Sequence, residues 1–135
     1  MPRCKVILIP SYVTIFKLTD IKHRVRPEGF ITKSDFKYPD LMNACNEVLQ
    51  GGEYESPTVK NAVKSLFNNG LYLDHYNQKI ILLLSQGIKT KNMPKMLGLS
   101  VSAIDKRKIA IKNYFEIENG GDEEIVAAAR ARKFI

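Results

Sequence analysis

The second half of the chain contains a cluster of four basic residues: Lys106, Arg107, Lys108 and Lys112. Long cationic side chains at this spacing can neutralise the phosphates of a nucleic acid. The surrounding segment is the most basic part of the chain, because residues 71–115 contain eight basic and two acidic residues. A solvated helix face that carries the same charges is the alternative interpretation, and charge alone does not separate the two.

The segment around this cluster, residues 86–104, has the layout of a helix-turn-helix. Gly98-Leu99-Ser100 forms its turn, and the Ser100 hydroxyl can cap a second helix over Val101–Phe115. Successive helical residues rotate by about 100°, which divides this helix into two faces. The predicted core face carries Ile104, Ile111 and Phe115, and the opposite face carries Ser102, Asp105, Lys106, Ile109 and Asn113. On the flanks, Arg107, Lys108 and Lys112 could reach phosphates on either side of a groove.

The elements that must position this motif follow from hydrophobic patterning. In the second half, helices are predicted over residues 76–86, 91–97, 101–115 and 123–134. In the first half, apolar runs and turn residues predict a strand over 5–9, a helix over 12–25, a strand over 30–32 and a helix from 38–40 to the glycines at 51–52. This order is typical of a parallel α/β layer. We interpret Asn68-Asn69-Gly70 as a linker, which divides the chain into residues 1–66 and 67–135.

Composition excludes several classes of protein. The 135 residues are 44% hydrophobic and 26% charged, and their net charge is +7, as expected of a folded protein with a polyanionic partner. The two cysteines, Cys4 and Cys45, support neither a disulfide scaffold nor a zinc module. The longest apolar runs, 6–9 and 80–84, are far shorter than the roughly 20 residues that span a bilayer. We therefore expect no membrane segment and a cytoplasmic location.

Residues 73–115 resemble, without gaps, the helix-turn-helix of LuxR/NarL-type response regulators. The resemblance is carried by Ile80, Leu83 and Gly87, by Leu97, Leu99 and Ser100 at the turn, and by Ala103 and Ile104. It implies that Asp105, Lys106 and Ile109 read bases. It also implies backbone contacts on or near Ser100, Ser102, Arg107, Lys108 and Lys112, and dimer contacts by a fourth helix over residues 122–134. The sequence departs from the family at Pro94, where a small helix former is usual, so the helix before the turn is expected to start late or to be distorted. It also departs at Asp105 and Ile109, where basic or polar residues are common.

Residues 5–63 are similar to the end of a response-regulator receiver domain, through Gly29-Phe30-Ile31-Thr32-Lys33 and Gly51-Gly52-Glu53-Tyr54-Glu55-Ser56-Pro57. The resemblance implies that Lys33 takes the place of the lysine that contacts the phosphoryl group. Ser11 is the nearest candidate for the hydroxyl that ends the preceding strand. For each residue, an ordinary surface role is the alternative. The expected fold is a truncated receiver-like β-α-β-α segment followed by an all-α four-helix LuxR-type helix-turn-helix domain.

The paired acids and the phosphoacceptor aspartate of a receiver would lie before the matched segment. We therefore expect no phosphoryl transfer, no Mg²⁺ site and no cofactor in this chain. Enzyme signatures such as GxxxxGK[ST], HExxH and GxSxG are absent from the sequence, and His23 and His75 are isolated. The chain is thus not expected to be an enzyme.

The sequence favours a regulator that reads double-stranded DNA, and the alternative is an adapter that associates with another regulator without reading DNA. The first strand would be an exposed apolar edge, which favours a homodimer or association with another receiver-containing chain. The two functions differ in how the basic cluster is used. Exposure of all four basic residues on one side favours DNA, whereas ion pairs with Glu116, Glu118, Glu123 or Glu124 favour the adapter.

Overall fold

A computed structural model of the chain describes residues 3–11 and 14–135. The chain forms two compact units, Met1–Ser65 and Leu66–Ile135. The first is a mixed α/β segment and the second is mainly helical.

The first unit is built on a parallel sheet of three short strands. These are β1 (Ile7–Leu8), β2 (Gly29–Phe30) and β3 (Tyr54–Glu55), in the order β1-β2-β3. Ile7 pairs with Gly29, and Gly29 pairs in turn with Tyr54. A Cβ atom on Gly29 would lie 2.8 Å from Cγ1 of Ile7. Glycine is therefore the residue that lets β1 approach β2 this closely.

The described residues of this unit also form three α-helices, α1 (Ile15–Val25), α2 (Tyr38–Leu49) and α3 (Pro57–Lys64), and a 3-10 turn at Lys33–Asp35. Leu18, Phe30, Val59 and Ala62 form a core to which α1, β2 and α3 contribute. Helix α2 lies against β2 and β3 and buries Ala44 and Val48. The predicted β-α-β-α order was incomplete, because β3 and α3 extend it by one strand and one helix. Tyr12 and Val13 of the predicted first helix lie outside the described residues.

The second unit opens with an antiparallel hairpin of β4 (Phe67–Asn68) and β5 (Leu71–Tyr72). The interpretation of Asn68-Asn69-Gly70 as a linker was therefore wrong. Asn69 and Gly70 have positive φ angles and form the hairpin turn. The Asn68 side chain donates to the carbonyl oxygen of Tyr114 at 2.7 Å, and the Asn69 side chain donates to Glu116 at 2.6 Å. The hairpin is thus attached to the helical part of its own unit.

The helices of the second unit are α4 (His75–Ser85), α5 (Pro94–Leu97), α6 (Val101–Phe115) and α7 (Asp122–Ala131), with a 3-10 turn at Thr90–Asn92. Helices α4, α6 and α7 pack against one another. The buried residues of this unit include Leu73, Ile80, Ile81, Leu84, Ile104, Ile111, Ile125 and Ala129. No helix in the described part of the chain is long and apolar enough to cross a membrane.

Candidate nucleic-acid interface

The turn between α5 and α6 is fixed by two capping residues. Gly98 ends α5 with a φ of 67°, a left-handed conformation that costs glycine little, and its N–H donates to Pro94 at 2.8 Å. Ser100 then caps α6, because its Oγ accepts the N–H of Ala103 at 3.1 Å. Together the two caps determine where α5 stops and where α6 begins.

Helix α5 is shorter than predicted. Residues 91–97 were expected to be helical, but α5 starts only at Pro94, after the 3-10 turn Thr90–Asn92. Proline is compatible with the first turn of a helix and not with its interior, since it lacks an N–H and its ring clashes with the preceding turn. The departure at Pro94 noted in the sequence therefore coincides with a late start of this helix.

Helix α6 has the two faces that its periodicity predicts. Ile104, Ile111 and Phe115 are buried. The opposite face is exposed and consists of Ser102, Asp105, Lys106, Ile109 and Asn113. Apolar side chains add to this face, since Val101 is 45% exposed and Ile109 is 60% exposed. Apolar groups at such exposure on a charged helix are available for contact with a partner.

Arg107 is bound within its own unit. Its Nη1 lies 3.0 Å from Oδ1 and 2.8 Å from Oδ2 of Asp74, the N-cap of α4. The same nitrogen donates to Asn77 at 3.2 Å, and the guanidinium carbon lies 4.8 Å from the centroid of the Tyr76 ring. Arg107 therefore joins α6 to the start of α4.

Lys108 forms a second internal connection. Its Nζ lies 2.6 Å from Oδ1 of Asp122, the first residue of α7, and donates to Thr90 at 3.0 Å. The Lys108 side chain is largely buried, at 16% exposure. This residue joins α6 to α7 and to the 3-10 turn before α5.

The basic cluster thus follows neither of the two patterns expected from the sequence. Arg107 and Lys108 pair with Asp74 and Asp122, which are not among the four glutamates considered. Lys106 is exposed and Lys112 is half-buried. Among the described residues, neither of these two lysines forms an ion pair.

Three further exposed lysines lie just before the turn: Lys89, Lys91 and Lys95. Sequence reasoning did not assign them to the site. The signal that could have identified them is the charge of the segment before the turn, since residues 86–100 contain these three lysines and no acidic residue.

The pKa of the Asp74 carboxyl is lowered by the groups that it contacts. Burial raises its pKa, but the N–H of Asn77 and the Arg107 guanidinium outweigh that effect and hold the pKa below its usual value. The carboxylate therefore stays charged and serves both as the cap of α4 and as the partner of Arg107.

In the first unit, the structure brings Ser11 and Lys33 to the same end of the sheet. The N–H of Lys33 donates to the carbonyl oxygen of Pro10 at 2.9 Å, which places the Lys33 backbone beside the residue before Ser11. Both residues are exposed. The nearby Asp35 is held by Thr58, whose N–H and hydroxyl each donate to its carboxylate at 2.8 Å. Asp35 therefore caps α3.

No group of three or more His, Cys, Asp or Glu residues that could hold a metal ion is found in the described ranges 3–11 and 14–135.

No protein-family model and no curated protein sequence matches the chain. Its fold is similar to solved structures of response regulators. A structure of two RcsB dimers bound to two parallel DNAs matches with a TM-score of 0.50 and 17% identity, covering 94% of this chain and 59% of that chain. The response regulator ChrA of a heme-sensing two-component system has a TM-score of 0.45 and 20% identity, with coverages of 97% and 64%. The RcsB response regulator of Salmonella typhimurium has a TM-score of 0.45 and 16% identity, with coverages of 94% and 61%.

This chain therefore spans 59 to 64% of the length of these regulators. The likeness to the RcsB structure shows a shared fold.

Proposed function

We propose that the chain is a DNA-binding transcriptional regulator of the response-regulator type. Residues 67–135 form a LuxR-type helix-turn-helix domain of four helices, α4 to α7, and residues 1–66 form a receiver-like segment. The observation that carries this proposal is the exposed face of α6, which follows a doubly capped turn and combines polar, basic and apolar side chains. The likeness to RcsB supports it at the level of fold. Such a protein acts in the cytoplasm, as the output of a two-component system.

In this proposal α6 enters the major groove. Asp105, Lys106 and Ile109 face the base edges. Ser100, Ser102 and Lys112 lie beside phosphates, which hydroxyls and lysines contact in protein–DNA complexes. The exposed lysines 89, 91 and 95 extend the basic surface on the side of the turn.

Arg107 and Lys108 belong to the interface as positioning residues. Each forms an ion pair that joins α6 to a neighbouring helix, Arg107 with Asp74 at the start of α4 and Lys108 with Asp122 of α7. A recognition helix must be held in a fixed orientation if its side chains are to meet base edges, so these ion pairs support reading even where the cations do not contact phosphate.

The test is binding of the full chain to a mixed-sequence duplex at several salt concentrations. Binding should weaken steeply as salt rises, with a log-log slope of about 0.9 for each neutralised phosphate. Lys106→Ala should weaken binding, whereas the matched variant Lys60→Ala, which removes the same charge from an exposed position on α3, should not. Absence of binding even at low salt would refute the proposal.

Exposed apolar side chains in the first unit support a second function, association with another protein chain. Tyr38, Met42 and Leu49 lie on one side of α2 and are 73%, 44% and 78% exposed. Val6 and Ile9, beside the edge strand β1, are exposed as well. We propose that a second copy of the chain covers the side of α2 that carries Tyr38, Met42 and Leu49, since helix-turn-helix proteins commonly read two half-sites as dimers. If the chain is monomeric, another receiver-containing chain is the remaining partner, as in the adapter alternative.

A further inference from the structure

The exposed face of α6 carries a negative charge, that of Asp105, between two apolar residues. Val101, Asp105 and Ile109 are spaced four residues apart, so they are neighbours along one line of the helix surface. All three are exposed. Among the described residues, no hydrogen bond or ion pair engages the Asp105 carboxylate. This distinguishes it from Asp74 and Asp122, which both pair with cations of α6.

This inference rests on the proposed function, in which the same face lies against DNA. A carboxylate beside a polyanion is unfavourable unless a hydrogen-bond donor compensates it. An ionised carboxylate can only accept hydrogen bonds. In the major groove, guanine and thymine offer only acceptors on their own edges, whereas cytosine offers its N4 amino group. Adenine also offers an amino group, but its N7 acceptor lies beside it and repels a carboxylate oxygen.

The neighbouring side chains complete the pattern. Ile109 is the more exposed of the two apolar residues on this line, and the apolar group that a base edge presents in the major groove is the C5 methyl of thymine. Lys106 offers donors only, which suit the O6 and N7 acceptors of guanine.

We propose that α6 selects a DNA site in which Asp105 accepts a hydrogen bond from the N4 amino group of a cytosine and Ile109 packs on a thymine methyl. The carboxylate acts chiefly by exclusion, because a guanine or thymine in place of the cytosine leaves it without a donor. Asp105 is therefore a specificity-determining residue, and it lowers affinity for DNA of the wrong sequence.

The first experiment selects bound sequences from a pool of randomised duplexes with the wild-type chain and with Asp105→Asn. The wild type should enrich sites with an invariant cytosine. Asparagine pairs through both of its polar atoms with adenine N6 and N7, so the variant should enrich adenine at that position, with a change in preference of roughly 5- to 150-fold. Glu118→Gln makes the same carboxylate-to-amide change at an exposed residue beyond α6, and it should leave the selected sequence unchanged.

The second experiment uses the selected site with deoxyuridine in place of each thymine in turn. One such replacement should weaken wild-type binding by about fourfold, the effect of one buried methyl group. The affinity of Ile109→Ala for the site should not change with that replacement.

The outcomes separate the two proposals. Salt-sensitive binding with no enriched cytosine, or with the same selected base for wild type and Asp105→Asn, overturns the inference and leaves the proposed function standing. No salt-sensitive binding to any duplex overturns both. A preference that changes equally in Glu118→Gln would trace the effect to net charge and refute the role of Asp105.

Discussion

Arg107 shows how a residue that belongs to a basic cluster by sequence can have a structural task. Its guanidinium contacts Asp74, Asn77 and the ring of Tyr76. We expect Arg107→Ala to lower the free energy of unfolding by about 1 to 2 kcal/mol, because it removes a partly exposed ion pair and a cation–π contact. Urea unfolding measures this change.

Lys106 is the matched control for this prediction, since it neighbours Arg107 and is exposed. Lys106→Ala should change the free energy of unfolding by less than about 0.5 kcal/mol. If Arg107→Ala left stability intact and instead reduced the salt dependence of DNA binding, Arg107 would be a phosphate contact and its ion pair incidental.

The lowered pKa of the Asp74 carboxyl predicts a dependence of stability on pH. A carboxyl with a lower pKa in the folded state stabilises the protein at pH values above its unfolded pKa. That stabilisation is lost as the pH falls below the ordinary value of 3.8 and then through the folded pKa. Asp74→Asn should therefore be less stable than wild type at pH 7 and should lose less stability in acid. Urea unfolding at pH 7 and below 3.8 tests this, and parallel losses in the two proteins would contradict it.

At the scale of elements, the start of α6 depends on one hydroxyl. Ser100→Ala removes the acceptor for the Ala103 N–H and should destabilise the helix by about 1 kcal/mol. Ser102→Ala makes the same chemical change two residues later, where the side chain is exposed, and should alter stability by less than about 0.5 kcal/mol. Thermal unfolding of the two variants compares them directly. Equal losses would show that Ser100 contributes through something other than its cap.

The elements differ in how well the sequence predicts them, and the reason is local. The ends of α6 were predicted as Val101 and Phe115 and are confirmed, because a serine cap and a long 3.6-residue period mark them. Strand β3 was missed because Tyr54 and Glu55 do not belong to an apolar run, whereas the equally short β1 and β2 do. Helix α7 ends at Ala131, three residues before the predicted end, although Phe134 remains buried against the rings of Tyr114 and Phe115.

The candidate site divides in the same way. The exposed and buried faces of α6 could be predicted, because they depend only on the helical period. The engagement of Arg107 and Lys108 could not, since Asp74 and Asp122 lie 33 and 14 positions away and are brought near only by the packing of α4 and α7 against α6. A run of basic residues in a sequence therefore does not indicate which of them form ion pairs with acidic residues inside the folded protein.

At the scale of the whole molecule, both units expose apolar side chains. The second exposes them on α6, beside its charged residues, and on the β4–β5 hairpin, whereas the first exposes them on α2 and beside β1. An exposed strand edge and an apolar helix stripe are features that proteins usually cover. We propose a division of labour, in which the second unit contacts DNA and the first sets how many copies are present on it.

The oligomeric state provides the last prediction. The wild type should have the mass of a dimer, and Leu49→Ser should shift it towards the monomer. Leu49 is the most exposed of the three apolar residues on one side of α2, the other two being Tyr38 and Met42. Tyr72→Ser, a comparable change at an exposed residue of the β4–β5 hairpin, should leave the dimer intact. Light scattering measures the mass.

A dimer that contacts two half-sites gains affinity, because binding of the first half-site raises the effective concentration at the second. Leu49→Ser should therefore lose affinity for a duplex with two half-sites while keeping its affinity for a duplex with one. A monomeric wild type would assign the α2 surface to a different protein and would separate DNA reading from self-association.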